Sequence, residues 1–267
     1  MPSTPRIISL LTDFGTQDGF IGIMKGVILG INPSVTIVDL SHEVPPQDIL
    51  TGALILRSAI AFFPPGTIHV AVVDPGVGST RRALIVETAT ALLVGPDNGL
   101  LSVAAPPESV QQVIHLTESR YFLPRVSQTF HGRDIFAPVA AHLSRGVPPE
   151  DFGPVGTAME RLALPITSHT PHQVTGSVIA VDRFGNIVTN ITATDLLPYP
   201  TETLSVSIGP VHIHGLSSTY ASVPVGAVTA LLNSWGMLEI AVRDGSAAQR
   251  LGVQRGTAVV ITDQEEN

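Results

Sequence analysis

IISLLTDFGTQDGFIGIMKGVILGINPSVTIVDL (Ile7–Leu40) switches periodicity twice, and that switch decides the fold. IISLL (Ile7–Leu11) is a short apolar run that ends in polar TDFGTQDG, the pattern of a buried strand. Phe20–Ile31 then reads as a helix, and VTIVDL (Val35–Leu40) is again strand-like. From Gln47 a second helical pattern places Ile49, Gly52, Ala53, Leu56, Ile60 and Phe63 on one face. TIHVAVV (Thr67–Val73) is a third buried strand that breaks into DPGVGST. ALIVET and ALLVG read as a strand pair around Ala89 and Thr90. Arg133–Arg145 reads as a helix, with Phe136, Val139, Ala140 and Leu143 at i, i+3, i+4, i+7. Strands alternating with helices predict an α/β unit: a mostly parallel sheet flanked by helices.

The second part of the chain reads differently. LPITSHTPHQ (Leu164–Gln173) is polar, carries two prolines and is expected to be a linker. After it come short alternating segments, VTGSVIAVD, NIVTNIT, TLSVSIG, VHIHG, LEIAVRDG and AVVITD, punctuated by turn residues. That spacing predicts a small all-β sandwich or barrel. The expected division is an N-terminal domain over 1–163, a linker over 164–173 and a C-terminal β domain over 174–267.

Composition narrows the function. The 267 residues are 44% hydrophobic and 13% charged, enough apolar material for a full core and incompatible with disorder. The net charge of −8, with no basic block, argues against a phosphate-backbone binder and hence against nucleic acid. There is no cysteine, hence no disulfide, thiolate metal site or thiol nucleophile. MPSTPR lacks the apolar run of a signal peptide. The apolar stretches Phe20–Ile31 and Ile49–Phe63 are interrupted by Lys25 and Arg57, so neither reads as a membrane span. The expectation is a soluble, cytoplasmic protein.

In an open parallel sheet, ligands bind beyond the carboxyl ends of the strands. Asp13 ends the first strand, Asp74 ends the third, and QTFHGRDIF sets His131 just before a helix. Each residue taken alone has a plain structural role: an aspartate after a strand forms turns or caps helices, a loop histidine is a hydrogen-bonded side chain, and Arg81-Arg82 is a solvated pair. Together they put an acid, a base and a guanidinium near strand ends in a chain with few charges. Other motifs lead nowhere. DFG and HGRD lack the rest of a kinase signature. Gly76-x-Gly78 lacks the third glycine of a dinucleotide fingerprint, and no Walker sequence occurs. His212 and His214 alternate on a strand without a further ligand at metal-site spacing, and no HExxH is present.

The segments TDFGTQDGFIGIMKGVI, VVDPGVGSTRRALIVE, GPDNGLLS, TFHGRDIFAP, VDRFGNIVTNI and NSWGMLEIAV, in this order and over nearly the whole chain, resemble the S-adenosyl-L-methionine (SAM) hydrolases, or SAM hydroxide adenosyltransferases. That family is homologous to the SAM-dependent fluorinase and chlorinase. The resemblance implies an N-terminal α/β domain, a C-terminal β-barrel and a homotrimer with SAM at the subunit interface. The implied reaction is SAM plus water giving adenosine plus L-methionine, with no cofactor because SAM is the substrate. The family's water site falls on Asp74, Arg81 and His131, and its ribose-binding aspartate on Asp13. Its C-terminal ligand residues fall on Asp182, Phe184, Asn186 and Ser234.

Chemistry agrees with these assignments. The sulfonium is already a good leaving group, so the site must place a water behind C5′ and take its proton. Asp74 fixed by Arg81 suits that task, and His131 before a helix N-terminus is biased toward its neutral form. Which of the two takes the proton stays open at this level. Asp13 suits a 2′,3′-diol, with two oxygens for two hydroxyl donors, and Asp182 suits the methionine ammonium. A SAM-dependent halogenase and a non-catalytic SAM or adenosine sensor are the alternatives. The halogenases resemble this chain but carry a Tyr where Asp74 stands, and a carboxylate there repels halide.

Overall fold

A computed structural model describes residues 7–156, 158–199 and 203–263; the MPSTPR opening lies outside them. The chain divides into two compact units, Met1–Leu162 and Ala163–Asn267.

The first unit is built on a seven-stranded sheet. Its strands are β1 (Ile7–Thr12), β2 (Thr36–Ser41), β3 (Thr67–Val72), β4 (Ala83–Thr88), β5 (Ala91–Pro96), β6 (Val110–His115) and β7 (Val155–Gly156), in the order β2-β1-β3-β5-β4-β6-β7. The β2, β1, β3 and β5 pairings are parallel. From β5 outward through β4, β6 and β7 they are antiparallel. β3 is buried along its whole length, as a strand covered on both faces must be.

Helices α1 (Phe20–Ile31), α2 (Ile49–Ile60) and α3 (Ala137–Ser144) flank the sheet. Met24 and Ile28 of α1 pack with Val139, Ala140 and Leu143 of α3 over Ile8, Leu10, Ile68 and Val70. Asp48 caps α2, accepting a hydrogen bond from the Thr51 backbone N–H at 3.1 Å. Gly52 lets α2 pack closely: a Cβ there would stand 3.0 Å from both Leu100 and Val73. The helix expected over 133–145 begins one residue earlier as a π-helical turn, Gly132–Phe136, before α3. The chain leaves β1 for β2 on one side and then crosses to β3 on the other. The β1–β3 boundary is therefore the switch point of the parallel region, where a crevice opens at the strands' carboxyl ends.

The second unit is an antiparallel, nearly closed barrel-shaped sheet. It comprises β8 (Ser168–Thr170), β9 (Gln173–Val181), β10 (Ile187–Thr192), β11 (Leu204–Ile208), β12 (Val211–His214), β13 (Val228–Leu232), β14 (Met237–Val242) and β15 (Ala258–Asp263). The order is β12-β11-β15-β9-β10-β14-β13, with β8 on β9. Two short helices, α4 (Ala193–Leu196) and α5 (Ala247–Leu251), accompany it. Val174, Val178, Ile187, Leu204, Leu238 and Ile261 fill the interior. Part of the stretch expected to be a linker is thus structured: Ser168–Thr170 pairs with Gln173–Thr175. Among the described residues, no helix is long and apolar enough to cross a membrane.

Candidate active site

The switch point is where two of the expected residues emerge. Thr12 of β1 lies opposite Val72 of β3, so Asp13 and Asp74 leave the same end of adjacent parallel strands. Asp74 is followed by the turn Pro75–Thr80, which brings Arg81 back onto it. Arg81 donates from Nε to Asp74 Oδ1 at 2.9 Å and from Nη2 to Asp74 Oδ2 at 2.5 Å. This is the two-pronged guanidinium–carboxylate geometry, and it is nearly sealed from water: the side chains are 10% and 5% exposed. The same Nη2 lies 2.7 Å from His131 Nδ1. Asp74, Arg81 and His131, separated by up to 57 positions, therefore form one hydrogen-bonded cluster.

That last contact fixes a proton. A guanidinium only donates, so His131 Nδ1 must be the acceptor, and the ring hydrogen sits on Nε2. Burial lowers the His131 pKa below its ordinary value, and the Arg81 charge lowers it further; the carboxylates of Asp74 and Asp134 and a Ser127 backbone hydrogen bond oppose the shift. The neutral imidazole is thereby favoured, with its ring hydrogen on Nε2.

The loops that carry these residues are locked together. Gly78 has φ +77°, and a Cβ on it would stand 2.4 Å from the Gln128 carbonyl oxygen, so only glycine lets the Asp74–Arg81 turn touch the segment before His131. Asp134, wholly buried, accepts from the Ser127 N–H at 2.8 Å and from Arg133 Nε at 2.6 Å, tying down that segment. Gly132 is packed against Met24, Phe130 and Phe14, all within 3.4 Å of where a Cβ would be. The π-helical turn there is a distortion often found at functional sites.

Asp13 is held differently. Its Oδ2 accepts from the Gln47 backbone N–H at 2.8 Å, and Gln47 adopts φ +65°, a strained value for a residue with a side chain. The turn after β1 is further fixed by Thr12 Oγ1, 2.9 Å from His42 Nδ1, while His42 Nε2 lies 3.0 Å from Asp39. Among the described residues, no hydrogen bond joins Asp13 to the Asp74 cluster.

The other four expected residues lie in the second unit, and the structure brings them to one cavity of about 1070 Å³. Asp182 begins the β9–β10 turn and is its organiser: Oδ1 accepts from the N–H groups of Phe184 (2.9 Å) and Asn186 (2.8 Å), and Oδ2 from Asn186 Nδ2 (3.0 Å). Phe184 projects from that turn, 77% exposed. Ser234 lies on the β13–β14 turn, which Asn233 Oδ1 closes by accepting from the Trp235 and Met237 N–H groups at 2.9 and 3.1 Å. Sequence reading missed Tyr220, Asn233 and Glu239 on the same wall. The available signal was the acid in LEIAV, set among apolar strand residues. Among the described residues, no group of three or more metal-ligating side chains is arranged to hold a metal ion.

A carboxylate–guanidinium–imidazole cluster at the switch point of an α/β unit, and an acid-lined cavity on a barrel unit, are the parts of an enzyme acting on a small molecule. Residues 8–153 match the SAM hydroxide adenosyltransferase N-terminal domain, and residues 176–260 match the C-terminal domain. The chain belongs to the SAM hydroxide adenosyltransferase family. It is 40% identical to the (R)-S-adenosyl-L-methionine hydrolase of Salinispora tropica, covering 98% of this chain and 99% of that protein. It is 38% identical to the protein of the same name from Thermus thermophilus, covering 95% and 98%. A fluorinase of Nocardia brasiliensis is more distant, at 28% identity with 96% of each chain covered. Its fold is similar to that of a conserved protein from Thermotoga maritima, with a TM-score of 0.89 at 37% identity over 96% of this chain and 99% of that one.

Proposed function

We propose that this protein hydrolyses SAM to adenosine and L-methionine by in-line attack of water on C5′. The observation that carries the reading is the Asp74–Arg81–His131 cluster, with its carboxylate held by two guanidinium bonds and its imidazole neutral. Relatives at 37–40% identity named (R)-S-adenosyl-L-methionine hydrolase support the same substrate.

The residues divide the work as follows. Asp74 uses one lone pair on each oxygen for Arg81 and keeps others to accept a hydrogen bond from water. Its charge takes the water's proton as the O–C5′ bond forms and the C5′–S bond breaks, leaving the electron pair on sulfur as the methionine thioether. His131 contributes Nε2–H as a donor that orients the water oxygen; with Nδ1 occupied by Arg81 it is not the base. Anionic Asp74 neutralising a cationic substrate is a step that a dry site favours. The same carboxylate repels halide, which sets hydrolysis above halogenation. Asp13 grips the ribose diol, and Asp182, Phe184, Asn186 and Ser234 bind the rest of the ligand. No cofactor enters, since the substrate carries its own leaving group. The protein works in the cytoplasm as a homotrimer with the ligand at the subunit boundary. Light scattering should find three chains per particle, and a fully active monomer would defeat that assembly.

Hydrolysis in heavy-oxygen water tests the bond that breaks. The label should enter the 5′-hydroxyl of adenosine, with none in methionine. Label in homoserine, with 5′-methylthioadenosine as co-product, would reverse the residue roles. A 5′-halo-adenosine formed in chloride would make the protein a halogenase, and binding without turnover would make it a sensor.

A further inference from the structure

Asp13, as the ribose-binding group, needs a carboxylate aimed at two hydroxyls. The Gln47 N–H bond to Oδ2 leaves acceptor capacity on both oxygens, but it does not set where the backbone carries them. That falls to the turn after β1, and the turn is braced through one side chain. Thr12, wholly buried, accepts from the Phe14 N–H at 3.2 Å, and its Oγ1 lies 2.9 Å from Nδ1 of His42. The His42 carbonyl accepts from the Gly15 N–H at 2.8 Å, where Gly15 takes φ +65°. Residues on both sides of Asp13 are thus fixed through His42. Val44, 2% exposed, roots the segment 42–47 in the core. The two ends of that segment grip the Asp13 turn and the Asp13 carboxylate.

The order of protons along this path is set at its outer end. Lys25 Nζ donates to Asp39 Oδ2 at 2.6 Å, and His42 Nε2 lies 3.0 Å from Asp39 Oδ1. Burial works to raise the Asp39 pKa, but the hydrogen bonds from Lys25 and His42 and the Lys25 charge outweigh it, and the net shift is downward. An ionised carboxylate only accepts, so His42 Nε2 carries the ring hydrogen. In the uncharged ring Nδ1 then accepts from the Thr12 hydroxyl. Every group from the Phe14 N–H out to Asp39 has its partner, and the Thr12 hydroxyl is held in one orientation. His42 is 6% exposed and both its ring nitrogens are engaged within the protein, so the ring has nothing left to offer a ligand. Its work falls on the turn.

We propose that His42, acting through the Thr12 hydroxyl, is a positioning residue that aims the Asp13 carboxylate at the ribose diol, so that recognition of the diol depends on it and affinity for the rest of the ligand does not. The inference rests on the reading of Asp13 as the ribose-binding group. It gives a use to a buried histidine and a buried hydroxyl that the Asp74–Arg81–His131 cluster does not need.

Calorimetry on the full chain with adenosine and 2′,3′-dideoxyadenosine separates this role from a structural one, because the two ligands differ only in the two hydroxyls. Wild-type protein should prefer adenosine by about tenfold or more, as hydrogen bonds to a charged acceptor imply. Thr12→Val exchanges the hydroxyl for a methyl of similar size. It should cut the preference to about threefold by weakening adenosine, with dideoxyadenosine held within about twofold. Thr12→Ser, which keeps the hydroxyl, should restore the preference. His42→Ala should show the same selective loss, and combining it with Thr12→Val should cost no more than the worse single change, as two parts of one path do. Equal weakening of both nucleosides in Thr12→Val overturns the proposal, as does a Thr12→Ser protein no better than Thr12→Val. Should His42→Ala not fold, the two Thr12 variants still decide. A wild-type preference that Thr12→Val keeps sinks this inference alone. Wild-type protein with no preference for adenosine sinks the ribose role of Asp13 and this inference with it.

Discussion

Asp74→Asn should slow SAM hydrolysis by ~10²–10⁴-fold, the usual worth of a positioned proton acceptor. Asparagine keeps the shape of the side chain, so the turn from Asp74 to Arg81 persists. It removes the charge and turns an NH₂ group toward the guanidinium, so one of the two bonds at 2.9 and 2.5 Å is lost. The water then has no anionic acceptor, and His131 cannot substitute, because its Nδ1 faces a donor 2.7 Å away. SAM binding should survive within a few-fold, since the ligand's body is assigned to Asp13 and to the second unit. Steady-state rates together with calorimetric affinity check this. An Asp74→Asn protein within tenfold of wild-type turnover would remove Asp74 from the chemistry.

Arg81→Met should be the more damaging change for stability. It leaves the Asp74 carboxylate, 5% exposed, without its cation and His131 Nδ1 without its donor. Breaking a buried pair from one side costs about 3–5 kcal/mol, because the remaining charge is stranded. Thermal unfolding should show a midpoint lowered by roughly 10 °C. The double variant Asp74→Asn/Arg81→Met should recover part of that loss, since the stranded charge is gone, yet remain inactive. Recovery of stability without activity separates the structural work of Arg81 from its chemical work. Should the double variant be as unstable as Arg81→Met alone, charge burial is not the cause.

Much of the first unit was legible because its elements are governed by local pattern. Phe20–Ile31 has its observed bounds, and β4 and β5 are the antiparallel pair expected around Ala89 and Thr90. β6 was missed because VQQVIH sets two glutamines in what becomes a sheet strand with only Val113 and Ile114 fully buried. β13 was missed because VTALL runs straight into NSWG and shows no alternation. Ser168–Thr170 reads as linker because the strand is exposed along its length, and only its pairing with β9 defines it. At the site, reading the residues near strand ends singled out Asp13, Asp74, Arg81 and His131, and the resemblance supplied their roles and the C-terminal four. The tautomer of His131, the strain at Gln47 and the pairing of His42 with Thr12 come from contacts between residues distant in sequence. No single-segment pattern carries them.

The contact at Gly78 bears on how this enzyme could be changed in the laboratory. A randomised library across Pro75–Thr80 would meet little resistance at Pro75 or Thr80, which are exposed. At Gly78 every replacement pushes on the backbone of Gln128, so the two loops move as one piece or not at all. Selection for a different nucleophile therefore has to insert or delete residues in both segments together. One-at-a-time diversity should stall at this glycine and leave the reaction that the chain already has.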